Sequence, residues 1–222
     1  MNTRTGHFEP IAREGLIILM IPAFLSLMGW WFGFSGLSLL FLIVAVAVGF
    51  FFRNPERVSR SDEASLLSPA DGVVMEITEN ASGPCLVQAS LTKISVFMSV
   101  FNVHVNRWPF SGMIEKMAHR PGQFLDARDP SSSILNENNS IVVKTDYGPI
   151  EIVQIAGKIA RRIVWWVRVG DPATKGARFG LIKFGSRVDV YLPETFHVCT
   201  TIGSKVTAGI TVIAQLKSPT NH

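Results

Sequence analysis

One stretch limits this chain more than any other. From Leu16 to Phe52 there is no charged residue, a run of 37 positions, where a single bilayer-spanning helix needs roughly 20. Drawn as one straight helix, the run would be about 55 Å long at ~1.5 Å per residue, nearly twice the roughly 30 Å hydrocarbon core of a bilayer. Its middle supplies a place to turn. The segment GWWFGFSG, Gly29 to Gly36, brings three glycines, a serine and two tryptophans suited to a membrane interface. The reading is a hairpin of two short apolar helices. Arg4 and Arg13 precede it, and Arg53, Arg57 and Arg60 follow it, so the positive-inside rule puts both ends on the cytoplasmic side. A cleaved signal peptide fits less well, because the run is too long and lacks a small-residue cleavage site before polar sequence.

This run accounts for much of the overall apolarity, 47% hydrophobic residues with a mean hydropathy of +0.29. The net charge of +4 and pI near 9.3 favour an anionic partner. Beside a membrane anchor, lipid is a better partner than nucleic acid. The two cysteines, Cys85 and Cys199, form no CxxC and no metal set. They read as buried thiols in a reducing compartment, with a disulfide left open.

After Arg53 the sequence is rich in short β-branched runs between turn signals: GVVMEI, ISVFMSVFNVHV, SIVVKT, IEIVQIAG, IVWWVRV, RVDVYL and TVIAQL. The expected fold is α+β: a β-dominated soluble domain over 53–222, with barrel-sandwich-like elements, preceded by an N-terminal membrane anchor of two short hydrophobic helices over 1–52. SPADGVV and GSKVTAGITVIAQL are similar to the two ends of a small lipoyl-like barrel sandwich, a fold-level likeness that carries no function. Polar residues from Asp126 to Ser140 read as a long surface loop able to cover a site.

Most common catalytic signatures are missing: no Gly-rich phosphate loop, GxSxG elbow, HExxH or paired His/Cys spacing. No metal site is expected. Among the five histidines, His7 and His222 lie near the termini and read as idle. In NVHVN, strand alternation would put Asn102, His104 and Asn106 on one polar face, leaving His104 as a site histidine or an exposed edge residue. His119 precedes a Pro-Gly turn and reads as a loop residue, and His197 as an ordinary strand residue. Asp71, in SPADGVV, reads as turn chemistry on local grounds. Lys158, Arg161, Arg162 and Arg168 alternate with Trp165 and Trp166, a mixture suited to phospholipid headgroups. Finally, Gly185 and Ser186 interrupt the strand-like IKFGSRVDVYLP, either as a β-bulge or as a site.

In order along the chain, FFRNPER, SPADGVV, FNVHVNRWPFSG, HRPGQF, QIAGKIARRI and FGLIKFGSRVDVYLP resemble the short form of the phosphatidylserine decarboxylase proenzyme family. The resemblance runs from about Phe51 to the C-terminus. It implies self-cleavage between Gly185 and Ser186 into a large chain, 1–185, and a small chain, 186–222. Ser186 would attack the Gly185 carbonyl, and elimination from the ester would turn Ser186 into a pyruvoyl group, the cofactor. That group would form a Schiff base with phosphatidylserine and accept electrons as CO2 leaves, giving phosphatidylethanolamine.

The family's longer form carries an Asp in PADG and two histidines spaced HxxH, of which the Asp and the second His act with the Ser in self-cleavage. Asp71 matches the first and His104 the first histidine, but Arg107 stands at the second. An arginine stays protonated and cannot serve as a general base at neutral pH. The resemblance therefore leaves His104, oriented by Asp71, to serve cleavage, decarboxylation or both. The implied partners are phosphatidylserine, membrane phospholipid and the two chains of the proenzyme, with a homo-oligomer left open and no nucleic acid. The implied location is the inner cell membrane, with the catalytic domain on the cytoplasmic side. Two rival readings remain: a membrane-tethered β-rich binding module without catalysis, and a pyruvoyl decarboxylase of a soluble amino acid, which the anchor disfavours.

Overall fold

The computed structural model describes residues 9–87, 90–158, 162–183 and 185–217. They fall into two compact units, divided between Glu56 and Arg57. Arg4, His7, Arg161 and His222 lie outside the described residues.

The first unit is a helical hairpin, α1 (Arg13–Trp31) and α2 (Ser35–Phe51). Its turn passes through Gly33 at φ +77°, a left-handed conformation that glycine adopts without steric cost. Small residues let the helices close on each other. A Cβ added at Gly15 would lie 2.3 Å from the Phe52 ring. Ser26 and Ser38 each donate a hydroxyl hydrogen bond to the other's carbonyl, both at 2.9 Å, which satisfies polar groups between two otherwise apolar helices. The two ends are tied together: Ala12 N–H donates to the Phe52 carbonyl at 2.9 Å and Asn54 N–H to the Pro10 carbonyl at 2.7 Å. Both chain ends therefore leave from the same end of the hairpin. Outward faces carry exposed Ile17, Phe24, Trp31 and Val46. By length and composition α1 can cross a membrane, and the apolar α2 is shorter at 17 residues.

The second unit is β-dominated. Its strands are β1 (Ser65–Leu67), β2 (Gly72–Ala81), β3 (Leu91–Met98), β4 (Val105–Arg107), β5 (Gly112–Arg120), β6 (Asn138–Thr145), β7 (Gly148–Ala156), β8 (Ile163–Trp165), β9 (Pro172–Ala173), β10 (Arg178–Ile182), β11 (Ser186–Leu192), β12 (Phe196–Val198), β13 (Lys205–Val206) and β14 (Val212–Leu216), with one short helix, α3 (Ser132–Leu135). Among the described residues they form a curled eight-stranded sheet in the order β13-β2-β3-β11-β7-β6-β5-β9 and two three-stranded sheets, β1-β14-β12 and β4-β10-β8. The pairings are antiparallel. One face of the large sheet supplies Val96, Ile152, Val188 and Val190 to the core, joined by Trp108, Phe179 and Ile213 from the small sheets.

The α+β reading with an apolar helical hairpin holds, and six of the seven β-branched runs each carry one strand. ISVFMSVFNVHV does not. It splits after Met98 because the Asn102 side chain caps a turn, accepting hydrogen bonds from Ser99 N–H (2.8 Å) and Ser99 Oγ (2.7 Å). Asn102 and His104 thus lie in the β3–β4 connection rather than on a strand face. IVWWVRV shortens to β8. The two lipoyl-like ends do meet, with Gly72 opposite Val206 and Val73 opposite Lys205. Both cysteines are free, and Cys199, expected to be buried, is exposed just beyond β12, while Cys85 is half-buried.

Candidate active site

IKFGSRVDVYLP is two strands in different sheets. β10 ends at Ile182 between β4 and β8, and β11 starts at Ser186 between β3 and β7. The β-bulge reading fails, because β11 pairs from Ser186 onward without a register shift on either side. Gly185 belongs to the crossover between sheets. It sits at φ +42°, a region disfavoured for residues with a Cβ.

The Gly185 carbonyl presses against Gly157, just beyond the end of β7: a Cβ at 157 would lie 2.0 Å from the Gly185 oxygen. Ser186 is fully buried, opposite Met98 and Ala156. Its Oγ donates to the Met98 sulfur at 3.4 Å, a weak acceptor. The same sulfur lies 3.7 Å from Asn106 Nδ2, and Asn106 Oδ1 accepts from Gln154 Nε2 at 2.8 Å. The hydroxyl of the Gly-Ser pair is thus held by a soft contact backed by a firm polar network.

His104 meets this crossover through its backbone, its carbonyl accepting from Ile182 N–H at 3.3 Å. The ring is buried, with Nδ1 at 2.9 Å from the Asn102 carbonyl. Asp71 immediately precedes β2, at the end of the large sheet where Ser186 starts β11, with β3 between them. The expected orienting contact from Asp71 to His104 is replaced by others. Arg57 grips the Asp71 carboxylate through both terminal nitrogens, at 2.5 and 2.8 Å, and Ala208 N–H donates to Oδ1 at 2.8 Å. A bidentate guanidinium is the stronger partner for a carboxylate, and Arg57 lies close enough to supply it. Arg107 is buried and donates to the Gly176 carbonyl at 2.9 Å, a structural tie.

Beside Gly185 opens a pocket of about 360 Å³ lined by Phe97, Ser99, Val100, Asp126, Ala127, Arg128 and Lys158. The polar segment expected to cover a site contributes Asp126 to Arg128 to this wall. Arg128 pairs with Asp126 at 2.6 Å and holds its carboxyl down at about 2. A larger pocket, about 420 Å³, lies by Glu79, Thr92 and His197 at the opposite end of β3 and includes no crossover residue. His119 lies at the end of β5 rather than in a loop. Asn139 links it to Trp165, the amide nitrogen donating to His119 Nδ1 (2.7 Å) and the oxygen accepting from Trp165 Nε1 (2.6 Å). Trp165 is therefore tied into the sheets, while Lys158 faces the pocket.

Behind Ser186, on the opposite face of β11, is a buried ionic cluster. Arg187 Nε donates to Asp189 (2.6 Å), and Nη2 donates to Glu76 and Ser95 (both 2.9 Å). Burial pushes the Asp189 carboxyl upward against the opposing pull of Arg187. Sequence reasoning missed Arg57, Gly157, Met98 and Arg128. Gly157 left a signal, a glycine directly after an apolar strand, whereas the others needed the fold.

A family model described as phosphatidylserine decarboxylase matches residues 44–214. The chain is 44% identical over 208 residues to a phosphatidylserine decarboxylase proenzyme of Geotalea uraniireducens, covering 93% of this chain and 97% of the relative. It is 47% identical over 182 residues to one of Pelobacter propionicus, covering 82% of each. With a match of this extent, and a Gly-Ser pair at a left-handed crossover between sheets, the chain belongs to the phosphatidylserine decarboxylase family.

Proposed function

We propose that this chain is a proenzyme that cuts itself between Gly185 and Ser186 and then decarboxylates phosphatidylserine to phosphatidylethanolamine at the membrane. The observation that carries the reading is the Gly185 carbonyl, seated against Gly157 in a left-handed conformation next to a buried serine hydroxyl. Glycine at 185 permits the left-handed conformation, and glycine at 157 permits the close approach.

In the first step the Ser186 Oγ–C bond forms, the peptide C–N bond breaks, and the hydroxyl proton ends on the freed nitrogen. The resulting ester then loses its Ser186 Cα proton while the Cβ–Oγ bond breaks, releasing the Gly185 carboxylate. Water replaces the nitrogen of the dehydroalanine as ammonia, leaving a pyruvoyl group at 186. Residue 186 fits such a group, because among the described residues its hydroxyl donates to the Met98 thioether and its register partners are Met98 and Ala156, neither of which demands a charge. A pyruvoyl carbonyl supplies the electron sink for an amine substrate losing CO2.

His104 is the residue assigned to proton transfer. Asp71, gripped by Arg57 and Ala208 N–H, acts as a positioning residue for the edge of the sheet beside the crossover. The pocket by Gly185 receives the headgroup, with Arg128 and Lys158 available to its anionic groups. The hairpin holds the enzyme to the bilayer, with Arg13 and Arg53 at its tied ends marking the cytoplasmic side.

Intact-mass analysis with a lipid assay tests this. Wild type should give two chains and a pyruvoyl-blocked small chain, and Ser186→Ala a single inactive chain. An uncut, active wild type would overturn the reading. His104→Ala should slow cutting, decarboxylation or both by about a hundredfold, and unchanged rates in both assays would remove His104 from the mechanism.

A further inference from the structure

We propose that the Ser99–Asn102 turn is a bilayer-inserting wedge that docks the pocket beside Gly185 onto an anionic phospholipid surface. This rests on the decarboxylase reading above and adds how that site meets its lipid. The turn is rigidly built. Asn102 Oδ1 accepts from both the N–H and the hydroxyl of Ser99, and Asn102 N–H returns a bond to the Ser99 carbonyl at 3.0 Å. What this turn presents is apolar: Val100 is 37% exposed and Phe101 74% exposed. A pre-organised turn with a largely exposed aromatic residue gains free energy when that residue enters an interface.

Two further features select lipid as the occupant. Val100 shares a pocket wall with Gly185, Arg128 and Lys158, so the tip is continuous with the cleavage site and with two cations offset by one carboxylate, Asp126. Basic side chains beside an inserted apolar tip are the combination that anionic membrane surfaces attract. Met98, the residue before the turn, lies opposite Ser186. Inserting the tip would therefore bring headgroups to within a few residues of the reacting serine.

The test uses the full chain in lipid nanodiscs. Phe101→Ser should lower kcat/KM on bilayer phosphatidylserine about tenfold and leave kcat/KM on water-soluble dihexanoyl phosphatidylserine within about twofold, with self-cleavage complete. Phe101→Leu should restore most of the loss. In a Cys85→Ser/Cys199→Ser background, a bimane label on Phe101→Cys should be quenched by doxyl-labelled lipid, and a label on Glu79→Cys, at the far end of β2, should not. Equal losses on both substrates, no loss on either, or an unquenched label at 101 would overturn the wedge. A wild type that decarboxylates neither lipid would instead sink the decarboxylase reading, while the quenching result would still decide the docking.

Discussion

The two faces of β11 are built on opposite principles. Ser186, Val188, Val190 and Leu192 point into the apolar core, whereas Arg187 and Asp189 point to a side that is equally buried but carries charge, with Tyr191 beside them packed against Leu91, Val153 and Ile155. An apolar face adheres without direction, and a slip of two residues would put valine where valine had been. The ionic face does not tolerate that slip, because Arg187 would leave Glu76 and Ser95. Adhesion thus comes from one face and register from the other. Register matters here because it sets Ser186 opposite Met98. If the chain is cut at 185, Ser186 becomes a strand end, and the anchor one residue further in keeps that end from fraying.

The contrast can be broken most strongly from the ionic side. Arg187→Met leaves Asp189 buried without its ion-pair partner and should cost about 3–5 kcal/mol, read as a lower denaturation midpoint. Arg187→Met with Asp189→Leu should recover most of that stability while the cut at 185 becomes slower or less complete. A double variant that is stable and cuts normally would show that the apolar face alone sets register. Where the two faces meet the crossover, Gly157→Ala should displace the Gly185 carbonyl and slow cutting about a hundredfold with the fold retained, followed by intact mass over time. The smallest effect is expected on the apolar face. Val190→Ala should cost about 2 kcal/mol and leave the cutting rate unchanged, as an adhesive residue remote from the reacting pair should.

The two units differ in how far they could be read in advance. The hairpin was legible because composition suffices: 37 uncharged residues with a glycine-rich middle admit few other folds. Strands such as RVDVYL and IEIVQIAG were legible because alternation with a buried face is a local pattern. The break in ISVFMSVFNVHV was not, because β-branched residues run through it and only the Asn102 cap ends the strand. For the same reason His104 was assigned to a strand face and found in a connection. Asp71 was expected to orient His104, but its carboxylate is gripped by Arg57, which the sequence offered only as a topology signal.

The sequence alone determined that the chain has an apolar hairpin and a strand-rich unit, and that Gly185 and Ser186 interrupt an apolar run. These are consequences of local composition and periodicity. Only the tertiary structure decided what the interruption is. It is a crossing between two sheets, with the Gly185 carbonyl against Gly157 and the Ser186 hydroxyl against Met98. Each of those contacts joins residues at least 28 positions apart, from Gly157 to Gly185. Strand pairing across such separations is set by the packing of the whole sheet, which no local pattern specifies.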